Sequence, residues 1–140
     1  MCSLQRPLDT KTQVRVAVEA EAILSIITLW EAGALELVSS SAMLFEAEQM
    51  PPSARKVYVG EVLSKANVFI PRSQSTEERT REFVELGIKP LDALHLASAI
   101  AAEADYFCTC DDRFLKRAKL AETQSTKVVS PLELVTELST

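Results

Sequence analysis

The 140-residue sequence predicts an α/β fold built on a parallel, doubly wound sheet. Short apolar runs alternate with helical patterns along the chain, and parallel strands require crossover connections of this kind. The stretch from Lys89 to Lys119 shows the alternation most clearly, because a helix, a strand and a second helix follow one another there. The length favours a single domain over residues 1–140.

Each predicted helix combines apolar residues at helical spacing with start or stop signals. In the first helix, Val14 and Val18 begin an apolar stripe that continues to Leu29, and Gly33 closes the helix. Pro90 suits a helix start, where its missing N–H costs nothing. The predicted helices are Thr12–Ala32, Ser41–Gln49, Ser53–Lys65, Glu77–Leu86, Pro90–Ala101, Arg113–Lys119 and Pro131–Leu138.

The predicted strands are short and apolar, and they are Glu36–Ser40, Asn67–Pro71, Tyr106–Cys110 and Lys127–Ser130. The third is aromatic and uncharged, which is typical of a strand covered on both faces. Asp111 falls at the carboxyl end of that strand, and Asp112 is predicted to cap the next helix. The helix from Pro90 is apolar nearly all round, so we expect it to be buried.

Composition excludes several classes of function. The net charge of −5 argues against a nucleic-acid binder with a broad basic face, although it leaves room for a small basic rim. The three cysteines form no zinc-binding or redox motif. We expect Cys2, Cys108 and Cys110 to be small apolar residues of a protein in a reducing cytoplasm. None of the glycines belongs to a phosphate-binding loop.

No apolar run has the length of a membrane span and no secretion signal is seen, so we expect a cytoplasmic protein without a membrane partner.

Two acidic residues stand in apolar surroundings. Asp92 opens the buried, alanine-rich helix, and Asp111 ends the apolar strand. A buried charge is costly unless it is paired, hydrogen-bonded or bound to a metal. Helix capping explains each of them singly. Together they suggest a site, because ligands of open α/β sheets bind outside the carboxyl ends of the strands.

Two motifs carry a resemblance to a known family. One is the helix start Asp-Ala-Leu-His-Leu-Ala at residues 92–97, and the other is the strand end Thr-Cys-Asp at residues 109–111. With Leu37–Ser40, Glu46 and Val129–Pro131, they make the sequence resemble a PIN domain over almost its whole length. PIN domains are metal-dependent ribonucleases that include the VapC-like toxins of toxin–antitoxin modules.

The resemblance implies a three-layer α/β/α fold with acids gathered at the carboxyl edge of a central parallel sheet. Glu46, Asp92 and Asp111 match three of these acids, and the resemblance makes them the catalytic residues and the ligands of Mg²⁺ or Mn²⁺. No residues match the family's first strand and its acid, so we expect both to be missing from this chain. Asp9 is the nearest substitute for that acid.

The function that the resemblance implies is a metal-dependent endoribonuclease that cleaves RNA phosphodiester bonds. A toxin role with an antitoxin partner and a homodimer are further implications of the resemblance. The alternative is a catalytically impaired PIN-fold interaction module, since the first acid has no match.

The remaining polar residues near these motifs can be explained by structural roles as well as by functional ones. Glu46 suits a solvated helix face as well as a site. His95 follows Asp92 by one helical turn, and we expect it to pack or to support a ligand rather than to act as a base. Basic residues that suit either solvated helices or contacts with RNA phosphates are Arg6, Lys11, Arg15, Arg113, Lys116, Arg117 and Lys119.

Overall fold

The computed structural model describes residues 13–139. The predictions made for Cys2, Arg6, Asp9 and Lys11 lie outside the described residues. Within residues 13–139, helices and short strands alternate in the predicted order. No helix of this part of the chain is long and apolar enough to cross a membrane.

The structure confirms the order of the predicted elements and shortens each strand to three residues. The helices are α1 (Gln13–Glu31), α2 (Ser41–Glu48), α3 (Ala54–Ser64), α4 (Gln74–Glu85), α5 (Pro90–Ala101), α6 (Asp112–Lys119) and α7 (Pro131–Leu138). The strands are β1 (Val38–Ser40), β2 (Val68–Ile70), β3 (Tyr106–Cys108) and β4 (Lys127–Val129).

The strands pair in parallel, as predicted, but the described strands form two separate two-stranded sheets rather than one central sheet. β1 pairs with β2, with Ser39 opposite Phe69. β3 pairs with β4, with Phe107 opposite Val128. Helix α5 lies next to β1 and β3, one strand from each pair. The α/β class is therefore confirmed, while the three-layer arrangement and the missing first strand remain predictions.

Helix α5 occupies the centre of the larger core, as its apolar composition predicts. Ala93 and Leu96 are completely buried, and α5 packs most extensively against α4. Burying one leucine side chain contributes roughly 1.5–3 kcal/mol. The buried residues of this core are Phe83, Ile88, Ala93, Leu96, Ala97, Ile100, Phe114, Ala118 and Val128. A second, smaller core joins α2 to α3 and contains Ala47, Met50, Val59 and Leu63.

Burial differs along β3 and α1. All three side chains of β3 are half-buried, so both faces of this strand are partly covered. In α1, Val14 is 81% exposed and Val18 is 42% exposed, whereas Val16 and Glu19 are buried at the same end of the helix. Ala22, further along the apolar stripe, is buried, so the stripe faces inward only beyond its first two members.

Three helices end in the same backbone motif, which places one residue in the left-handed region. At the end of α4, the N–H of Gly87 donates to the carbonyl of Val84 at 2.9 Å and that of Ile88 donates to the carbonyl of Phe83 at 3.2 Å. The motif closes α1 at Gly33 and α5 at Glu103, where φ is +83° and +55°. Glycine adopts this conformation freely, whereas other L-residues are strained in it.

We predict opposite stability changes for substitutions at two of these helix ends. Gly87→Ala forces a Cβ into the left-handed region at φ +94° and places it against Nη1 of Arg117. Its free energy of unfolding should fall by about 1–2 kcal/mol. Glu103→Gly removes the same strain from an exposed residue and should raise that free energy by up to about 1 kcal/mol.

Urea titrations of the two variants measure these changes. Gly60→Ala is the control, because Gly60 lies inside α3, has an ordinary helical φ and has open space around the added Cβ. This variant should be stabilised by about 0.5–1 kcal/mol. Equal effects of alanine at positions 60 and 87 would contradict the assignment of strain to Gly87.

Candidate functional site

Asp111 is fixed by a chain of hydrogen bonds that begins in the sheet. The N–H of buried Thr109 donates to the carbonyl of Val129 at 2.9 Å, and its Oγ1 accepts the N–H of Asp111 at 3.1 Å. Oδ1 of Asp111 accepts the N–H of Phe114 at 3.1 Å, so Asp111 is the N-cap of α6. The prediction that Asp112 is the cap is wrong. Both aspartates are good caps, and the extended backbone of Asp111 decides between them.

Asp92 lies half-buried in the first turn of α5. The cap residue, Lys89, provides no side-chain hydrogen bond to this helix end. The N-terminus of a helix carries a partial positive charge, which favours an anionic side chain in the first turn. Asp92 and Asp111 are therefore both held at helix N-termini that stabilise a negative charge.

Glu46 is brought to α5 by a hydrogen bond that the sequence does not reveal. Its Oε2 lies 2.7 Å from Nε2 of His95, which is 8% exposed, and Glu46 itself is 22% exposed. Asp92 and His95 are three residues apart on α5 and so share one face. The structure thus brings Glu46 to the helix face on which Asp92 lies.

Asp112 is engaged by α1 rather than by its own helix end. Arg15 donates through Nη1 and Nη2 to the two carboxylate oxygens of Asp112, and through Nε to Oε1 of Glu19 at 3.0 Å. The hydrogen bond that Arg15 donates to Asp112 is the main cause of a raised pKa at Arg15. Sequence reasoning missed this link, because Arg15 and Asp112 are 97 positions apart.

The basic residues around the acids have different surroundings. Arg113 and Lys116 are exposed on α6 directly after Asp111. Arg117 is also exposed, and its guanidinium lies beside Gly87. Lys119 instead donates to Oε2 of Glu133 at 2.7 Å.

Carboxylate oxygens are the donors that Mg²⁺ and Mn²⁺ prefer. Glu46, Asp92 and Asp111 supply such donors, and two of them stand at helix N-termini. Residues 13–139 contain no group of three or more histidine, cysteine or acidic side chains arranged to hold a metal. Mg²⁺ usually binds through one or two carboxylates together with waters and substrate phosphates, so the residue types of Glu46, Asp92 and Asp111 suit such an ion, although they form no three-residue cluster.

Comparison with known proteins identifies the family. The family model of the PIN domain matches residues 4–120. The chain belongs to the PIN domain family. The matched range contains Glu46, Asp92 and Asp111 and ends before β4. PIN domains are in general nucleases that typically bind divalent metal ions. No curated protein and no solved structure gives a match to the chain.

We predict that Arg15 contributes more to the stability of this PIN domain than Asp112 does. Arg15→Met leaves the carboxylate of Glu19, which is only 8% exposed, without its arginine and should cost about 1–3 kcal/mol. Asp112→Asn removes a charge that is 64% exposed and should cost less than about 1 kcal/mol.

Chemical denaturation of both variants measures the difference, with Arg81→Met, at an exposed arginine of α4, as the control for losing an arginine side chain. Equal destabilisation by Arg15→Met and Arg81→Met would show that the link between α1 and α6 adds nothing to stability.

Proposed function

We propose that the chain is a metal-dependent endoribonuclease in which Asp92 and Asp111 bind Mg²⁺ or Mn²⁺ and Glu46 completes the site. The observation that carries this proposal is the hydrogen bond between Glu46 and His95, which brings a carboxylate of α2 to the helix that carries Asp92 in its first turn. Membership of a nuclease family supports the reaction class. The restriction to RNA is part of the proposal.

In this proposal the two aspartates share one task and Glu46 has another. Asp92 and Asp111 supply hard oxygen donors from two helix N-termini, where the helix dipoles stabilise their charge. Glu46 orients a water molecule or completes the ligand shell. A divalent ion held by these residues would supply an activated water for in-line attack on a phosphodiester and would stabilise charge on the phosphate oxygens.

The basic side chains of α6 provide the binding energy for the substrate in the same proposal. Arg113 and Lys116 are exposed and follow Asp111 within five residues. Contacts from such side chains to phosphates position a nucleic acid without reading its sequence. Because the chain has a net charge of −5, its long-range attraction for a negatively charged RNA is weak. We therefore expect local contacts to phosphates to dominate RNA binding.

Metal binding provides the first test. Asp92→Asn and Asp111→Asn should each weaken Mn²⁺ binding by more than about tenfold, because even supporting residues of metal sites cost 10–100-fold when changed. Asparagine is as good an N-cap as aspartate, so Asp111→Asn keeps the start of α6. Calorimetric titration of Mn²⁺ measures the affinity, and Asp105→Asn, at an exposed acid before β3, is the matched control.

Cleavage of a circular RNA measures the endonuclease activity directly, since exonucleases cannot act on a circle. Wild type and Asp105→Asn should linearise the circle with Mn²⁺, and the Asp92→Asn/Asp111→Asn double variant should not. A DNA circle of the same sequence tests the restriction to RNA. If the double variant binds Mn²⁺ and cuts as wild type does, the site is wrong. If wild type neither binds metal nor cuts, an interaction module without catalysis replaces the proposal.

We also propose that the chain forms a homodimer through the adjacent helices α2 and α3. Phe45 and Val57 are 56% and 62% exposed on these helices, and apolar side chains of this size are costly to leave in water. A toxin role and an antitoxin partner remain predictions of the resemblance.

Light scattering should give a mass of twice the 15.4 kDa of the chain for wild type. Val57→Glu should return the mass to that of a monomer by placing a charge in the interface. Leu120→Glu, at an apolar residue 86% exposed elsewhere, should remain dimeric. A monomeric wild type at high concentration would contradict the proposal.

A further inference from the structure

His95 is a buried polar side chain with a specific partner. It lies near the middle of α5, among alanine and leucine residues of the core, and its side chain is 8% exposed. A neutral imidazole in such a place needs a hydrogen bond to offset the loss of water. Its Nε2 finds Oε2 of Glu46 at 2.7 Å.

The direction of the hydrogen bond depends on the tautomer of His95. An ionised carboxylate can only accept a hydrogen bond, so with Glu46 ionised the N–H at Nε2 of His95 is the donor. Hydrogen bonds to an ionised acceptor are shorter and stronger than neutral ones, and the separation of 2.7 Å belongs to that class. The low exposure of both side chains strengthens the bond further.

The bond also restrains a flexible side chain. Glutamate has three rotatable side-chain torsions, and an ordered orientation of its carboxylate costs conformational entropy. Glu46 stands near the end of α2, a helix of eight residues, and its backbone alone does not set where the carboxylate points. The rigid imidazole of a buried helix does set it, since His95 is held by the packing of α5.

We propose that His95 is a positioning residue of the nuclease site. Its Nε2–H holds the carboxylate of Glu46 on the face of α5 that also carries Asp92, and thereby sets the affinity of the site for a divalent ion. This inference rests on the proposed function. In this scheme His95 acts through Glu46 and not as the general base.

Three substitutions separate positioning from packing. His95→Gln keeps an N–H donor the same number of bonds from Cβ as Nε2, whereas His95→Leu keeps an apolar side chain of similar size and removes the donor. Glu46→Gln removes the charge through which His95 would act. Urea titration of each variant establishes that it is folded before its Mn²⁺ affinity is measured.

We expect His95→Leu to weaken Mn²⁺ binding by about 10–100-fold, the usual effect of losing a residue that orients a metal ligand. His95→Gln should stay within about threefold of wild type, since the donor is retained. Combined with Glu46→Gln, His95→Leu should cause no further loss, because contacting residues that act as a unit are not additive. Equal losses for His95→Gln and His95→Leu, or additive losses in the double variant, would overturn the proposal.

The protonation of the His95 imidazole can be measured directly in the metal-free wild-type protein. His95 is the only histidine of the chain, so ¹⁵N NMR of the imidazole gives one pair of nitrogen signals. We expect Nε2 to be protonated, and a ring with Nε2 unprotonated would contradict the proposal.

The outcomes also distinguish this inference from the proposed function. If Asp92→Asn and Asp111→Asn abolish Mn²⁺ binding while His95→Leu binds as wild type does, the nuclease site stands and the role of His95 is wrong. If Asp92→Asn and Asp111→Asn leave Mn²⁺ binding unchanged, the proposed function fails and the role of His95 fails with it.

Discussion

The structure depends on the burial of one helix, α5. Its alanine and leucine residues allow close approach on several sides, and α4, α2, β1 and β3 all lie next to it. Because the helix is enclosed along most of its length, its N-terminal turn has a fixed position relative to both pairs of strands. That turn carries Asp92, and the next turn carries His95. The packing that stabilises the fold therefore also orients two of the polar residues of the candidate site.

The sequence was sufficient to predict the order of the elements, because their signals are local. Proline at helix starts, glycine at Gly33 and Gly87, and short apolar runs each act within a few residues. What the sequence could not predict depends on distant partners. Val14 and Val18 have ordinary helical spacing, yet both are exposed, and Val16 and Glu19 are the buried residues at that end of α1. The arrangement of the strands as two pairs is likewise a long-range property.

The candidate site shows the same division. The position of Asp92 at a helix start followed from local patterns. The sequence placed Asp111 at the end of a strand and Asp112 at the cap of α6, whereas the structure gives the cap to Asp111. Local patterns did not predict the hydrogen-bond partners of Glu46 and Arg15. These partners, His95 and Asp112, lie 49 and 97 positions away in the sequence. A histidine on an apolar helix face indicates that a polar partner must exist, since a buried imidazole is costly. It does not indicate which residue of another helix that partner is.

The hydrogen bonds that run from Val129 through Thr109 to Asp111 connect a carboxylate to a strand without acidic residues. The links span only a few atoms and leave little slack, so a shift of β4 is transmitted to the start of α6. Sequence change in β4 is therefore constrained by more than its own packing. Residues of β4 that do not contact a substrate can in this way determine the orientation of the Asp111 carboxylate.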